Sequence, residues 1–241
     1  MKIVFIILNY NTFQETLGFA KGNNVGIEYA NRNYKPQFIV VLNSDTELIQ
    51  NDLVEKLDNE YRNSEFALLG PLILTADGRC DNSPHYPPTV EHIQKELRTF
   101  MREEKIIKRG LYRPYCGIRF LRNLVRYKIL KKDMPLHRNM EFYQYQRQVV
   151  LQGCFLVFSE KAFEYIKGFD ERTFLYYEEP ILYLSLMKHE LITVFDPEIV
   201  IYHKEGRSTS SVAKKNKDKL LFINKCFQES AKVVLDVLKA I

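Results

Sequence analysis

At 241 residues, 46% hydrophobic and 27% charged, the chain carries enough apolar side chain for a substantial core, which excludes disorder as a description of the whole. The net charge of +5 is too small to name a partner, so its distribution matters more than its total. Cys80, Cys116, Cys154 and Cys226 are widely spaced and form no CxxC pair, which argues against a zinc site or disulfide framework and for reduced cytoplasmic thiols.

Ile3–Leu8 is a short, continuous apolar run that reads as a buried parallel strand. It is too short to span a membrane, and Asn9-Tyr10-Asn11 follow it instead of a small-residue cleavage site, so no signal peptide is expected. Gly18-Phe19-Ala20-Lys21-Gly22-Asn23-Asn24 suits a tight turn whose backbone N–H groups face an anion, leading into a helix over 24–33. It has neither Walker nor full GxGxxG spacing. Residues 38–42 (FIVVL) predict a second strand, 52–61 a polar amphipathic helix, and 66–74 a third strand broken by Gly70-Pro71. This alternation predicts an α/β domain with a mostly parallel central sheet flanked by helices.

Residues 79–148 differ in character. They open on Pro84, Pro87 and Pro88, and from 95 to 148 they hold 15 Lys and Arg against 5 Asp and Glu. Arg119, Arg122, Arg126, Lys128, Lys131 and Lys132 interleave there with Phe120, Leu121, Leu124, Val125, Ile129 and Leu130. That mixture suits a basic amphipathic helix on an anionic membrane surface, and equally a helix packed on the domain with its charges in water. A strand over 149–158, a short helix over 160–166 and late strands over 193–195 and 199–202 come next. An amphipathic helix over 217–241 follows, with Leu220, Ile223, Phe227, Ala231, Val234, Leu238 and Ile241 at helical spacing.

Three segments carry potential chemistry. Asn43-Ser44-Asp45-Thr46 follows a strand, where a carboxylate can hold a hard divalent cation beside a diphosphate; a cap or turn role uses the same residues. Glu178-Glu179, among Phe174, Tyr176 and Tyr177, are adjacent carboxyls that an apolar setting can hold at a raised pKa, or a solvated helix N-terminus. His203, after a strand and before Gly206, can be a metal or phosphate contact, or an exposed histidine. Each signal is weak singly.

Their order is more specific. GFAKGNNVGIEYA, VVLNSDTEL, GCFLVFSEKAFEYIKGFDERTFLYYEE and FDPEIVIYHKEGRSTS together resemble the family 2 glycosyltransferases of the GT-A (nucleotide-diphospho-sugar transferase) fold. The similarity is closest to the bacterial branch that builds rhamnose-rich and other capsular or O-antigen polysaccharides, and covers residues 1–211, with the basic middle least typical. It implies inverting, metal-assisted transfer of a sugar from a nucleotide-sugar donor to a saccharide or lipid-diphosphate acceptor. By the family pattern Asp45 binds the cation (Mn2+ or Mg2+), with Asn43 in place of the motif's first Asp, and His203 completes the metal or diphosphate site. Glu179 is the general base and Glu178 supports it. Asn9, Tyr10, Asn11 and Asn24 stand near the nucleotide.

The resemblance divides the chain into a donor-binding part (1–78), a basic acceptor-side insert (79–148), an acceptor and catalytic part (149–211) and a C-terminal helix (212–241). It implies a cytoplasmic protein, and the basic amphipathic segment adds a peripheral position at the inner face of the plasma membrane. Two departures stand out. Pro180-Ile181-Leu182 follow the acidic pair where the family carries a further Asp. Phe13-Gln14-Glu15-Thr16 also run straight into Leu17-Gly18-Phe19, leaving out part of the N-terminal nucleotide-binding βαβ region, including the Asp that reads the base. This second departure supports a rival reading, a non-catalytic GT-A-like subunit of a polysaccharide assembly complex that has lost donor binding. A nucleic-acid-binding role is not expected, because charge without a recognition motif is nonspecific.

Overall fold

Apolar run and strand coincide first at β1 (Ile3–Leu8), which pairs in parallel with β2 (Phe38–Asn43) from Ile3 opposite Phe38 to Leu8 opposite Asn43. The computed structural model describes residues 2–8, 17–75, 80, 84–125, 142–204 and 216–241. The strand β3 is Thr46–Leu48, β4 Leu68–Thr75, β5 Gln146–Arg147, β6 Phe155–Ser159 and β7 Thr193–His203. They form one sheet in the order β1-β2-β6-β4-β7-β3, with β5 also on β7.

The sheet is mixed rather than mostly parallel. β1 with β2 and β4 with β7 are parallel, but β6 runs antiparallel between β2 and β4, and β3 and β5 pair antiparallel with β7. Both faces of the central strands are buried. On β2, Ile39 and Val41 enter one core with Phe19, Ala20 and Ile27, while Phe38, Val40 and Leu42 enter another with Leu53, Leu57 and Phe66. A strand buried on both faces reads as a continuous apolar run whatever its direction, so the pattern did not reveal the reversal of β6. Each such side chain contributes about 1.5–3 kcal/mol of burial.

The strand β4 passes through Gly70-Pro71 unbroken, and β7 is one strand rather than two. The irregularity sits in their pairing: Pro71 is opposite Asp196, whereas Leu72 is opposite Val200. The β7 residues Pro197, Glu198 and Ile199 are therefore extra, a bulge that bends the strand. Gln50 satisfies its backbone, donating to the Glu198 carbonyl (3.0 Å) and accepting from Val200 N–H (2.8 Å). This bend has a geometric consequence. Only Ser44 and Asp45 separate β2 from β3, a reach of at most about 11 Å. Four strand spacings, roughly 19 Å, would separate them in a flat sheet of this order. The sheet must curl, and Asp45 sits in the link.

One face carries α1 (Gly18–Tyr34) and the other α2 (Leu53–Ser64). The helix α1 starts at Gly18, so the expected glycine turn is its first two turns. Its glycines serve packing: a Cβ on Gly22 or Gly26 would come within 2.7 Å of Leu8 or 2.6 Å of Ile6. At the other face of β1, Phe5 and Ile7 are exposed, and β1 is an edge strand.

The insert supplies α3 (Val90–Lys108), capped by the Thr89 hydroxyl accepting from His92 N–H, and α4 (Tyr112–Asn123). The residues of the expected basic helix from 126 on lie outside the described residues. Glu160–Glu164 form a short 3-10 turn, and α5 (Glu178–Met187) and α6 (Asn216–Lys239) complete the fold. The helix α5 is apolar nearly all round: Leu182 and Leu186 face the sheet, while Ile181 and Leu184 face Ile93 of α3 and Ala231 and Val234 of α6. Its burial accounts for Pro180-Ile181-Leu182 after the acidic pair. Pro180 lies in the first turn, where no backbone donor is needed. No helix among the described residues is long and apolar enough to cross a membrane.

Candidate functional site

The carboxyl ends of β1, β2, β4 and β7 and the start of antiparallel β6 share one edge of the sheet, as the pairings Leu8–Asn43, Leu42–Phe155 and Thr75–His203 require. Ligands of open α/β sheets bind at such an edge. Two of the expected motifs meet there. Because Thr46 pairs with His203 across β3 and β7, Asp45 is carried to the end of β7. His203 Nε2 lies 3.3 Å from Asp45 Oδ1, both side chains mostly buried, and Lys204 N–H donates to the Asp45 carbonyl (2.9 Å).

The turn before β6 joins this pair to the acidic pair. The Cys154 carbonyl accepts from Asn43 N–H (2.9 Å) and from the Thr46 hydroxyl (3.2 Å), which fixes the Asn43–Thr46 link. The neighbouring Gly153 N–H donates to Glu179 Oε1 (3.1 Å). A Cβ on Gly153 would stand 2.5 Å from that oxygen, so only glycine leaves the carboxylate room. Two adjacent residues thus hold both motifs.

Glu178 and Glu179 begin α5, where the helix dipole favours negative charge. They differ sharply in setting. Glu178 is 4% exposed, its Oε1 has no hydrogen-bond partner, and burial, with the charge of Glu179, pushes its carboxyl up to about 8. Burial raises the Glu179 carboxyl as well, and the backbone N–H groups of Glu179 itself and of Gly153 oppose the rise. Both carboxyls are held above the ordinary glutamate range, and Glu179 is the one with the Gly153 backbone N–H aimed at its oxygen.

Both line a cleft of about 620 Å³, with Phe19, His85, Tyr86, Pro87, His92, Glu96, Tyr177 and Phe227 among its walls. Its floor is strained. Tyr176 and Tyr177 both adopt left-handed backbone (φ 74° and 65°), a conformation that costs non-glycine residues of order 1–3 kcal/mol each. Two contacts hold them: the Tyr176 ring stacks on Phe227 (3.9 Å between centroids, 6° between planes), and the Tyr177 hydroxyl donates to Glu96 Oε2 (2.5 Å). His92 Nε2 lies 3.4 Å from the same oxygen.

Other expected residues stand elsewhere. Asn24 clasps the loop before α5: its amide donates to the Phe169 carbonyl (2.9 Å) and Glu171 Oε1 (3.1 Å), and accepts from Phe169 N–H (2.8 Å). Asn9, Tyr10 and Asn11 lie outside the described residues. Sequence reasoning missed Gly153, whose only signal was a glycine opening a strand, and missed His92 and Glu96, an ordinary i, i+4 pair on a polar helix. Among the described residues no group of three or more His, Cys, Asp and Glu side chains is arranged to hold a metal ion. The Asp45–His203 pair offers two donors, which fits a cation that takes its other ligands from phosphate oxygens and water, and does not fit a closed all-protein cage. Neither a scan of protein-family models nor a search of the curated proteins finds a match to this chain.

Proposed function

We propose that the chain is a glycosyltransferase of the GT-A type, moving a sugar from a nucleotide-sugar donor to a saccharide or lipid-linked acceptor with inversion. One observation carries the reading: the Asp45–His203 pair and the Glu178–Glu179 pair, remote in sequence, are tied through adjacent Gly153 and Cys154 at the carboxyl edge of the sheet, beside the cleft. The antiparallel β6 within an otherwise parallel frame of β1, β2, β4 and β7 accords with that reading.

In the reaction the acceptor hydroxyl oxygen forms a bond to the anomeric carbon while the bond from that carbon to the diphosphate oxygen breaks. Glu179 takes the hydroxyl proton as the bond forms. Gly153 N–H fixes the orientation of its carboxylate. Glu178, neutral and buried, keeps a second negative charge away from Glu179, which would otherwise raise its pKa further. Asp45 and His203 would hold a divalent cation, Mn2+ or Mg2+, which when bound supplies positive charge for the leaving diphosphate.

Calorimetric titration with a panel of nucleotide sugars, with and without Mn2+, tests the reading. Cation-dependent binding of one donor is expected, lost in Asp45→Asn. Glu179→Gln is expected to keep donor affinity while turnover falls by about 100- to 10,000-fold. Absence of binding by every donor and nucleoside diphosphate, with cation present, sinks it. That result supports the second reading, a non-catalytic subunit. One feature favours that second reading: β1 is the edge strand and only nine residues separate it from α1, and no further strand on that side carries a base-reading residue among those described.

A further inference from the structure

The helix α4 is unlike the others: none of its residues is buried. Its inner side rests on α3, where Arg119 Nη1 donates to Glu103 Oε1 (3.0 Å) and Tyr112, Tyr115, Cys116 and Asn123 are partly covered. The opposite side carries Leu111, Pro114, Ile118, Leu121 and Val125, spaced three and four apart and therefore on one stripe, all exposed. Ile118 is 67% exposed and Leu121 58%. An apolar stripe of this kind left in water over some 21 Å of helix marks an interaction surface.

Charge selects the occupant. From 105 to 125 the sequence has no acidic residue, and besides Lys108 and Arg119, which pair with Glu104 and Glu103, it has Lys105, Arg109, Arg113 and Arg122. Like charge opposes a second copy of this helix across a two-fold axis. An apolar stripe flanked by cations, on a helix lacking the length and hydropathy to span, has the complement of an anionic lipid surface. We infer that α4 docks the protein on anionic membrane, its axis in the plane of the interface and Ile118, Leu121 and Val125 turned into the acyl boundary. Sequence pattern alone left a packed helix as an equal reading; over 111–125 the exposed stripe favours the interface, while residues 126–132 lie outside the described residues.

The placement also relates the membrane to the cleft. His92, Ile93 and Glu96, early in α3, line the cleft, and α3 ends at Lys108, about 18 Å further along, where the chain turns into α4. A docked α4 thus holds the cleft within a few helical turns of the headgroups. This inference rests on α4 and not on the transfer reaction.

The test is vesicle flotation of the full chain, with phosphatidylcholine vesicles with and without phosphatidylglycerol and no donor or acceptor present. Binding is expected only with phosphatidylglycerol, weakening as salt rises. Charge reversal at Arg109, Arg113 and Arg122 is expected to lower partitioning by more than about 100-fold, at roughly fivefold per basic residue. Ile118→Asp with Leu121→Asp is expected to lower it at least about tenfold. All five side chains are exposed, and circular dichroism checks that the variants keep the wild-type fold. Failure to float with anionic vesicles at low salt overturns the inference, as does binding that neither variant alters. A concentration-dependent dimer abolished by the Asp variant also overturns it, assigning the stripe to a second copy. Because binding is read without turnover, a negative result here leaves the transfer reading standing, and the reverse holds too.

Discussion

Replacing Glu178 by Gln tests the electrostatics of the cleft directly. The Glu178 carboxyl is buried, with one oxygen lacking a partner, and titrates at about 8 in the folded protein. In an unfolded chain a glutamate titrates near ~4.3. Between those values the folded protein holds a proton that the unfolded chain has released, so stability falls as pH rises through the window. The loss is complete once pH passes the folded value and amounts to as much as about 5 kcal/mol, at about 1.4 kcal/mol per pKa unit. Gln keeps the shape of the protonated carboxyl and cannot ionise. Thermal unfolding across a pH series is therefore expected to show wild type and Glu178→Gln melting together near pH ~4.5 and diverging above it. At roughly 2–4 °C per kcal/mol for a chain of this size, the variant melts up to about 10–20 °C higher at alkaline pH. Parallel pH profiles for the two proteins refute the reasoning, because they leave no ionisation of Glu178 coupled to folding.

Gly153→Ala is expected to turn the Glu179 carboxylate out of place and lower kcat on the order of 100-fold, with a small change in Tm; unchanged kcat would deny Glu179 its role. Asn24→Ala removes the clasp on Phe169 and leaves its backbone groups unpaired, a loss of about 1–3 kcal/mol. Its Tm is expected to drop while nucleotide affinity holds, and the opposite pattern in a thermal shift series would put Asn24 against the ligand.

Much of the frame was legible because apolar runs and strands coincide: Ile3–Leu8 is a parallel strand as expected, though at an edge with Phe5 and Ile7 exposed rather than buried, and the second run extends only from Leu42 to Asn43. Strand direction was not legible, since Phe155 to Phe158 are buried on both faces and would show the same pattern either way. The start of α1 was misplaced because Gly18 and Gly22 signal a turn locally, while their use is to let the helix approach β1. At the site, the meeting of Asp45 with His203 depends on a bulge in β7 and a curl of the sheet, neither of which has a local signature. The contrast between Glu178 and Glu179 was also hidden. Neighbouring residues on a helix point about 100° apart, and only the packing of α5 decides which one is enclosed.

The curled sheet also sets an order in time. Among the described residues β3 has no strand partner other than β7, and β4 is joined to β6 at only Leu68 and Leu69, so most of its length waits for β7 as well. A chain leaving the ribosome has made β1 and β2 long before the strand that completes their sheet is synthesised. Until residue 203 emerges, Asp45 hangs on an unpaired hairpin arm and the apolar edge of β4 is open. Non-local pairing of this kind slows folding and prolongs the exposure of aggregation-prone edges. Synthesis at low temperature, or with added holding chaperones, is therefore expected to raise the soluble yield more than any change to the surface of the finished fold.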